Sequence, residues 1–334
     1  MTNGIVKPAA AFKPKTGLGA LTREILARFG ILPVFIIVLG AIAGITPSLL
    51  NGDNIAQVLR QSSIAGVMAL GATFVLISGR IDLSIGSLLS LASFVTIDVH
   101  ERAGAGAALL AALGIGGAVG LVNGFIVGYL RLNPLIATLA MMSLLQGVTL
   151  VYSGGADIYV AHPDTTWFAV FGRGFLFGLP VPVLLFAALA VALGILLHMT
   201  AFGRKIFAIG GNETAAAFSG IDTRKTVALA YLIGGLTTSV AALIIASRVM
   251  GAQANTGAGY EFDVISAVIL GGTSFLGGSG TMAGTVVGVV LLAFMQNGLL
   301  LLGLPYYLQW IITWGVIISA VWAEMAAKRK RILL

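Results

Sequence analysis

The sequence predicts an all-α membrane protein: a polytopic bundle of about ten transmembrane helices, at least one of them short or discontinuous, with cytoplasmic N- and C-termini. Three observations predict it. The 334 residues are 58% hydrophobic and only 9% charged, with a mean hydropathy of +1.03. A soluble domain carries about a quarter charged residues, so this chain cannot cover a water-facing surface. Apolar runs of about 20 residues recur from Gly30 to Trp322, each long enough as a helix to cross a hydrocarbon layer of ~30 Å. Basic residues gather in three places: the N-terminus (Lys7, Lys13, Lys15, Arg23, Arg28), the centre (Arg204, Lys205, Arg224, Lys225) and the C-terminus (Lys328 to Arg331). The positive-inside rule puts all three on the cytoplasmic side.

These marks order the chain. A tail, 1–28, precedes a single transmembrane domain, 29–323, and a basic tail, 324–334, follows it. The first apolar run, 29–45, has the length of a span rather than of a signal core, and reads as a retained helix stopped at Thr46-Pro47. The second, 55–77, begins unusually polar and ends inside at 78–82. The third, 83–97, returns outward to Asp98, His100, Glu101 and Arg102. The fourth (107–130), fifth (135–152) and sixth (181–198) follow, with an outer segment at 153–179 and an inner polar loop at 201–225. After the seventh (227–245), the stretch 264–276 is too short for an ordinary span, which predicts a discontinuous or partly buried helix. Runs 282–302 and 306–322 complete the set. Counting 264–276 as a crossing keeps the basic C-terminus inside.

The inner loop is the most informative segment. Asn212 can cap a short helix, Glu213 complements its positive end, and Ala215 to Ala217 favour it. A structured helix on that face gives a cytoplasmic partner something to push on; the alternative is a solvated loop with a stray helical turn. In the fourth run Gly114, Gly116, Gly117, Gly120, Gly124 and Gly128 form a small-residue face of the kind that lets membrane helices approach closely.

Several chemistries are excluded. No lysine follows a glycine, so the phosphate-cradling G-x-x-x-x-G-K-[ST] loop is absent. His100, His162 and His198 have no shared-metal spacing, no serine sits in a G-x-S-x-G elbow, and there is no cysteine for disulfides or thiolate ligation. That speaks against a membrane-embedded enzyme. The net charge of +7 comes without a basic, aromatic-interleaved stripe, which excludes nucleic acid. Acidic residues fall in tails, loops or near span ends, which disfavours an ion-coupled secondary transporter or channel, the main alternative. Asp82 is the ambiguous acid: a helix cap, or part of a pathway. Gln57, Arg60, Gln61, Ser62 and Ser63 would be costly facing lipid; they suit a pathway for a hydroxyl-rich solute, or hydrogen bonds between helices.

Several ordered motifs together carry a resemblance. The run Ala69 to Ser87 (ALGATFVLISGRIDLSIGS), Asn123 through Leu139, Gly210 to Ile221 (GGNETAAAFSGI), Ala267 to Thr281 (AVILGGTSFLGGSGT) and Asn297-Gly298 resemble the permease subunits of ribose-type sugar ABC importers. The likeness covers about 51–322. One departure is Arg80, where members of that family often carry a second glycine. The resemblance implies a bacterial inner-membrane, multi-pass subunit working as a homodimer in the lipid bilayer. A separate ABC ATPase, holding the ATP and Mg, would dock on the inner loop, so no cofactor is expected on this chain. A periplasmic binding protein would deliver a small sugar, for which a pentose is the guess. Carried onto this chain, the docking residues are Gly203, Arg204, Gly210, Asn212, Glu213, Ala215, Ala216, Ser219, Gly220 and Ile221, and Asn297 joins the pathway candidates.

Overall fold

A computed structural model describes residues 32–163, 166–305, 307–315 and 318. Both terminal tails, the start of the first span and most of the tail end of the last lie outside the described residues, as does the sidedness of the termini. Twelve helical segments are named here: α1 Leu32–Ile45, α2 Gly52–Ile77, α3 Ile85–Gly128, α4 Pro134–Ser153, α5 Val170–Arg173, α6 Val181–Met199, α7 Ala201–Gly211, α8 Glu213–Phe218, α9 Thr223–Val249, α10 Tyr260–Leu270 and α11 Met282–Leu301, with residues 307–315 also helical. Among the described residues, strand is limited to two-residue pairs, β1 (Ile158–Tyr159) with β4 (Gly251–Ala252) and β2 (Phe175–Leu176) with β3 (Leu179–Pro180), both antiparallel. This is an all-α membrane protein. Among the described residues, six helices are long and apolar enough to cross a bilayer: α2, α3, α4, α6, α9 and α11.

The 44 residues of α3 would run ~66 Å if straight, twice the hydrocarbon thickness. They do not run straight. Gly104 has φ 83° and ψ 172°, a non-helical conformation that L side chains rarely adopt, and it breaks α3 into two limbs. The expected outer loop at Asp98 to Arg102 is instead helix up to that break. An i,i+4 pair accounts for it, with Arg102 Nε donating to Asp98 Oδ1 at 2.9 Å.

Burial separates centre from periphery. α2 and α9 are buried along most of their length, whereas α4 and α6 expose Leu144, Val151, Val191 and Met199 on an apolar outer surface. A close, extended contact joins the second limb of α3 to α9. A Cβ on Gly116, Gly120, Gly124 or Gly128 would collide with Gly235, Tyr231, Ala228 or Arg224 backbone, so this stripe sets the helix separation. Gly114 meets nothing within 4 Å and Gly117 only the Leu236 and Leu232 side chains, which leaves four of the six predicted glycines in the backbone contact.

The short run after α9 becomes α10, only 11 residues or ~16 Å, followed by irregular backbone from Gly271 to Thr281. It starts earlier than the hydropathy implied, because Tyr260, Glu261 and Asp263 form its first turn.

Candidate functional site

Two sites lie at opposite ends of α2. At its N-terminal end a cavity of about 510 Å³ opens between α2, α10, α11 and the helix at 307–315. Asn51 caps α2 by accepting from the Asp53 N–H at 3.2 Å, and this start places Gln57, Gln61 and Ser62 on one wall. α11 supplies Gln296 and Asn297, and α10 supplies Tyr260 and Asp263. Asn54 donates to Asn297 Oδ1 at 2.9 Å and Gln296 to Asp263 Oδ1 at 3.3 Å. The volume is in the range of small-molecule pockets, and amides with apolar patches such as Trp310 and Trp314 suit a neutral polyhydroxyl solute.

The sequence candidates divide here. Gln57, Gln61, Ser62 and Asn297 share the cavity. Arg60 does not line it; its guanidinium sits 4.7 Å from the centre of the Phe175 ring. Ser63 is buried and donates to Leu59 O at 2.7 Å. Asp82 lies at the far end of α2. Its Oδ1 accepts from the Ser84 N–H at 2.9 Å and the Ser84 hydroxyl at 2.6 Å, while Asn123 donates to Oδ2 at 3.4 Å. Burial raises its carboxyl above the usual range, and the bonds from Ser84 and Asn123 pull in the opposite direction. Asp82 thus braces the turn into α3, next to Tyr231, whose hydroxyl donates to Ile81 O at 3.0 Å.

The second site is the inner loop, which folds as two helices. Thr200 opens α7 by accepting from Gly203 N–H at 3.3 Å, and Gly203 packs against the Leu197 carbonyl where a side chain would not fit. Asn212 opens α8, its Oδ1 accepting from Ala215 N–H at 2.9 Å. Ser219 N–H and hydroxyl return to Ala215 O, and Ile221 N–H donates to Ala216 O at 3.1 Å, closing the helix at Gly220. Arg204, Asn212, Glu213, Ala215, Ser219 and Gly220 are exposed, Ile221 is half-buried, and Ala216 is buried against the bundle. α8 therefore stands proud of the membrane domain with a free outer face.

Gly210 ties this loop to the rest. It abuts the Ile77 carbonyl and the Gly278 backbone so closely that a Cβ would overlap both, and Gly278 N–H donates to Ile77 O at 2.8 Å. The end of α2, the end of α7 and the loop after α10 thus meet backbone to backbone. Beside them, a recess of about 600 Å³ is lined by Arg80, Arg131, Asn133, Glu213 and Thr214 among others.

Comparison with known proteins places this architecture. Residues 54–321 match the family described as branched-chain amino acid transport system / permease component. The chain belongs to this family. It is 40% identical over 292 residues to the ribose import permease protein RbsC of Escherichia coli (strain K12), covering 86% of this chain and 90% of the relative. The corresponding protein of Bacillus subtilis (strain 168) is 41% identical, with 87% and 90% covered. The L-arabinose transport system permease protein AraH of E. coli K12 is 36% identical over 302 residues, with 88% and 89% covered. No solved structure matches.

Three features of this permease are visible only in the folded chain. Phe218 is 89% exposed on α8, and an aromatic within an alanine-rich polar loop was the available signal. Asp263 is a carboxylate on the cavity wall, one residue ahead of the apolar stretch 264–276. Arg80 pairs with Glu213 across 133 residues, which no local pattern encodes.

Proposed function

We infer that this chain is the membrane permease subunit of a sugar ABC importer. It would work in the bacterial inner membrane as a homodimer, with about ten crossings and both termini cytoplasmic. A separate ATPase drives it by engaging α8, and a periplasmic binding protein delivers a small sugar, ribose-like or arabinose-like, to the amide-lined cavity. The observation that carries this reading is α8: a capped helix projecting from the bundle, its Phe218 almost wholly exposed, and following directly on α7, whose Gly210 sits in backbone contact with the end of α2 and the loop after α10. An aromatic side chain on a projecting helix is of the kind that anchors protein–protein contacts. The relatives' names supply the sugar class.

On this reading ATP closes the ATPase pair, α8 moves, and the helices it touches open the cavity to the cytoplasm. The permease contributes the path, orientation by amides, and exclusion of lipid; the free energy comes from the partner. Mild-detergent purification of the tagged chain from native membranes, followed by reconstitution with whatever ATPase accompanies it, tests the assignment. Uptake of labelled ribose or arabinose should require ATP and a binding protein. Uptake by the chain alone, driven by an ion gradient, would replace this reading with a self-contained transporter, with Asp263 as its first suspect residue.

A further inference from the structure

Arg80 lines the recess beside the inner loop, but it does not line the amide-walled cavity and is not on the docking helix. Its side chain is only 11% exposed, yet it carries a full charge, so the fold holds it there for the contacts it makes. Nη2 donates to Glu213 Oε2 at 2.8 Å, and Nη1 donates to Ser78 O at 2.6 Å. One rigid guanidinium therefore bridges the first residue of α8 and the residue that terminates α2. The neighbouring backbone does the same job by shape. Gly210, three residues before the start of α8, is seated on Ile77 O, and that oxygen also accepts from Gly278 N–H, within the loop leading from α10.

Both helices that leave this junction reach the cavity. Gln57 lies 20 residues along α2 from Ile77, ~30 Å away, and α10 presents Asp263 to the same space. One ion pair and one backbone seat thus link the start of α8 and the end of α7 to elements that reach the cavity wall.

We propose that Arg80 is a positioning residue, a strut that makes α8 and the inner end of α2 move as one body, so that the partner's stroke reaches the cavity. This rests on the importer reading and adds to it the residue that sets coupling efficiency. Without the strut, α8 can follow the ATPase while α2 stays behind. A half-exposed ion pair biases such a two-state equilibrium by about fivefold at most.

The experiment compares sugar transported per ATP hydrolysed in proteoliposomes of the full complex, for wild type, Arg80→Gln and the double variant Arg80→Cys/Glu213→Cys. This chain has no other cysteine, so within it a short bifunctional thiol reagent addresses only the introduced pair. Arg80→Gln should hydrolyse ATP at the wild-type rate but move about three- to fivefold less sugar per ATP. The double variant should be equally uncoupled before crosslinking and regain most of the wild-type ratio after it. An unchanged ratio in Arg80→Gln overturns the strut, and so does a lowered ratio that crosslinking does not restore. Should Arg80→Gln fail to reach the membrane, Arg80→Lys is read by the same criterion, since it keeps the charge but cannot hold both partners. Absence of ATP-driven uptake in wild type instead defeats the importer reading, and the strut with it.

Discussion

Replacing Gly210 with alanine isolates the backbone seat under the docking helix. The added methyl would overlap Ile77 O and stand 2.5 Å from Gly278 N, both main-chain atoms that cannot rotate away. Overpacking of this kind costs about 1–3 kcal/mol, and spreading the Gly278–Ile77 hydrogen bond costs about 1 kcal/mol more. Alanine in a helix recovers about 1 kcal/mol relative to glycine. The balance is about 1–3 kcal/mol against the native junction, or roughly a 5- to 150-fold shift. Gly211→Ala is the control, because a Cβ there meets nothing within 4 Å. Thermal midpoints in detergent and ATP-driven sugar uptake in proteoliposomes would be measured for both. Gly210→Ala should lower the midpoint and the uptake while Gly211→Ala leaves both at or above wild type. Equal behaviour of the two variants would refute the claim that this seat is a tight mechanical contact.

Other outcomes follow from the same geometry. Phe218→Ala should reduce copurification of the ATPase about tenfold or more, as loss of an aromatic anchor does, without changing the amount of permease in the membrane; full recovery would remove Phe218 from the interface. Gln57→Leu and Gln61→Leu each remove one amide from the cavity and should lower uptake about three- to tenfold with ATPase binding intact; unaltered uptake kinetics would move the pathway elsewhere. Because burial raises the Asp82 carboxyl, its neutral form is favoured in the fold, and any ionisation costs stability as pH rises through the range between its unfolded and folded values. Asp82→Asn, which keeps an acceptor for Ser84 N–H, should therefore hold the midpoint, whereas Asp82→Ala strands that buried N–H at about 1–3 kcal/mol; a lower midpoint for the asparagine variant would mean the charge itself is needed.

The parts of this molecule that local chemistry dictates were readable. Hydropathy marked the apolar runs because a bilayer demands length and apolarity, and Asn212 announced α8 because a cap needs only its own next three residues. Glycine spacing announced the α3 stripe, though not that Gly114 would be idle, since the partner face belongs to α9. Charge misled at Asp98 to Arg102, where polar residues signalled a loop while their i,i+4 pairing extends the helix to Gly104. The site was legible in half: the polar side of α2 was visible, but which of its residues face the cavity depends on the direction each takes around the helix, and Arg60 and Ser63 turn away. Asp82 on Ser84 is a local bond; Arg80 on Glu213 is created only when the chain folds back on itself.

The glycine stripe has a consequence for how the protein is made. Gly128 and its partner Arg224 are separated by almost 100 residues, so the second limb of α3 enters the bilayer long before α9 exists. At about 5–20 residues per second, the ribosome leaves that face unmatched for roughly 5–20 s. During that interval four glycines present bare backbone to lipid tails, which fill the notch poorly and give way when α9 arrives. A bulky residue at Gly120 or Gly124 would therefore act at birth, closing the notch before its partner is synthesised, and would show as permease lost to proteolysis rather than as permease that transports badly.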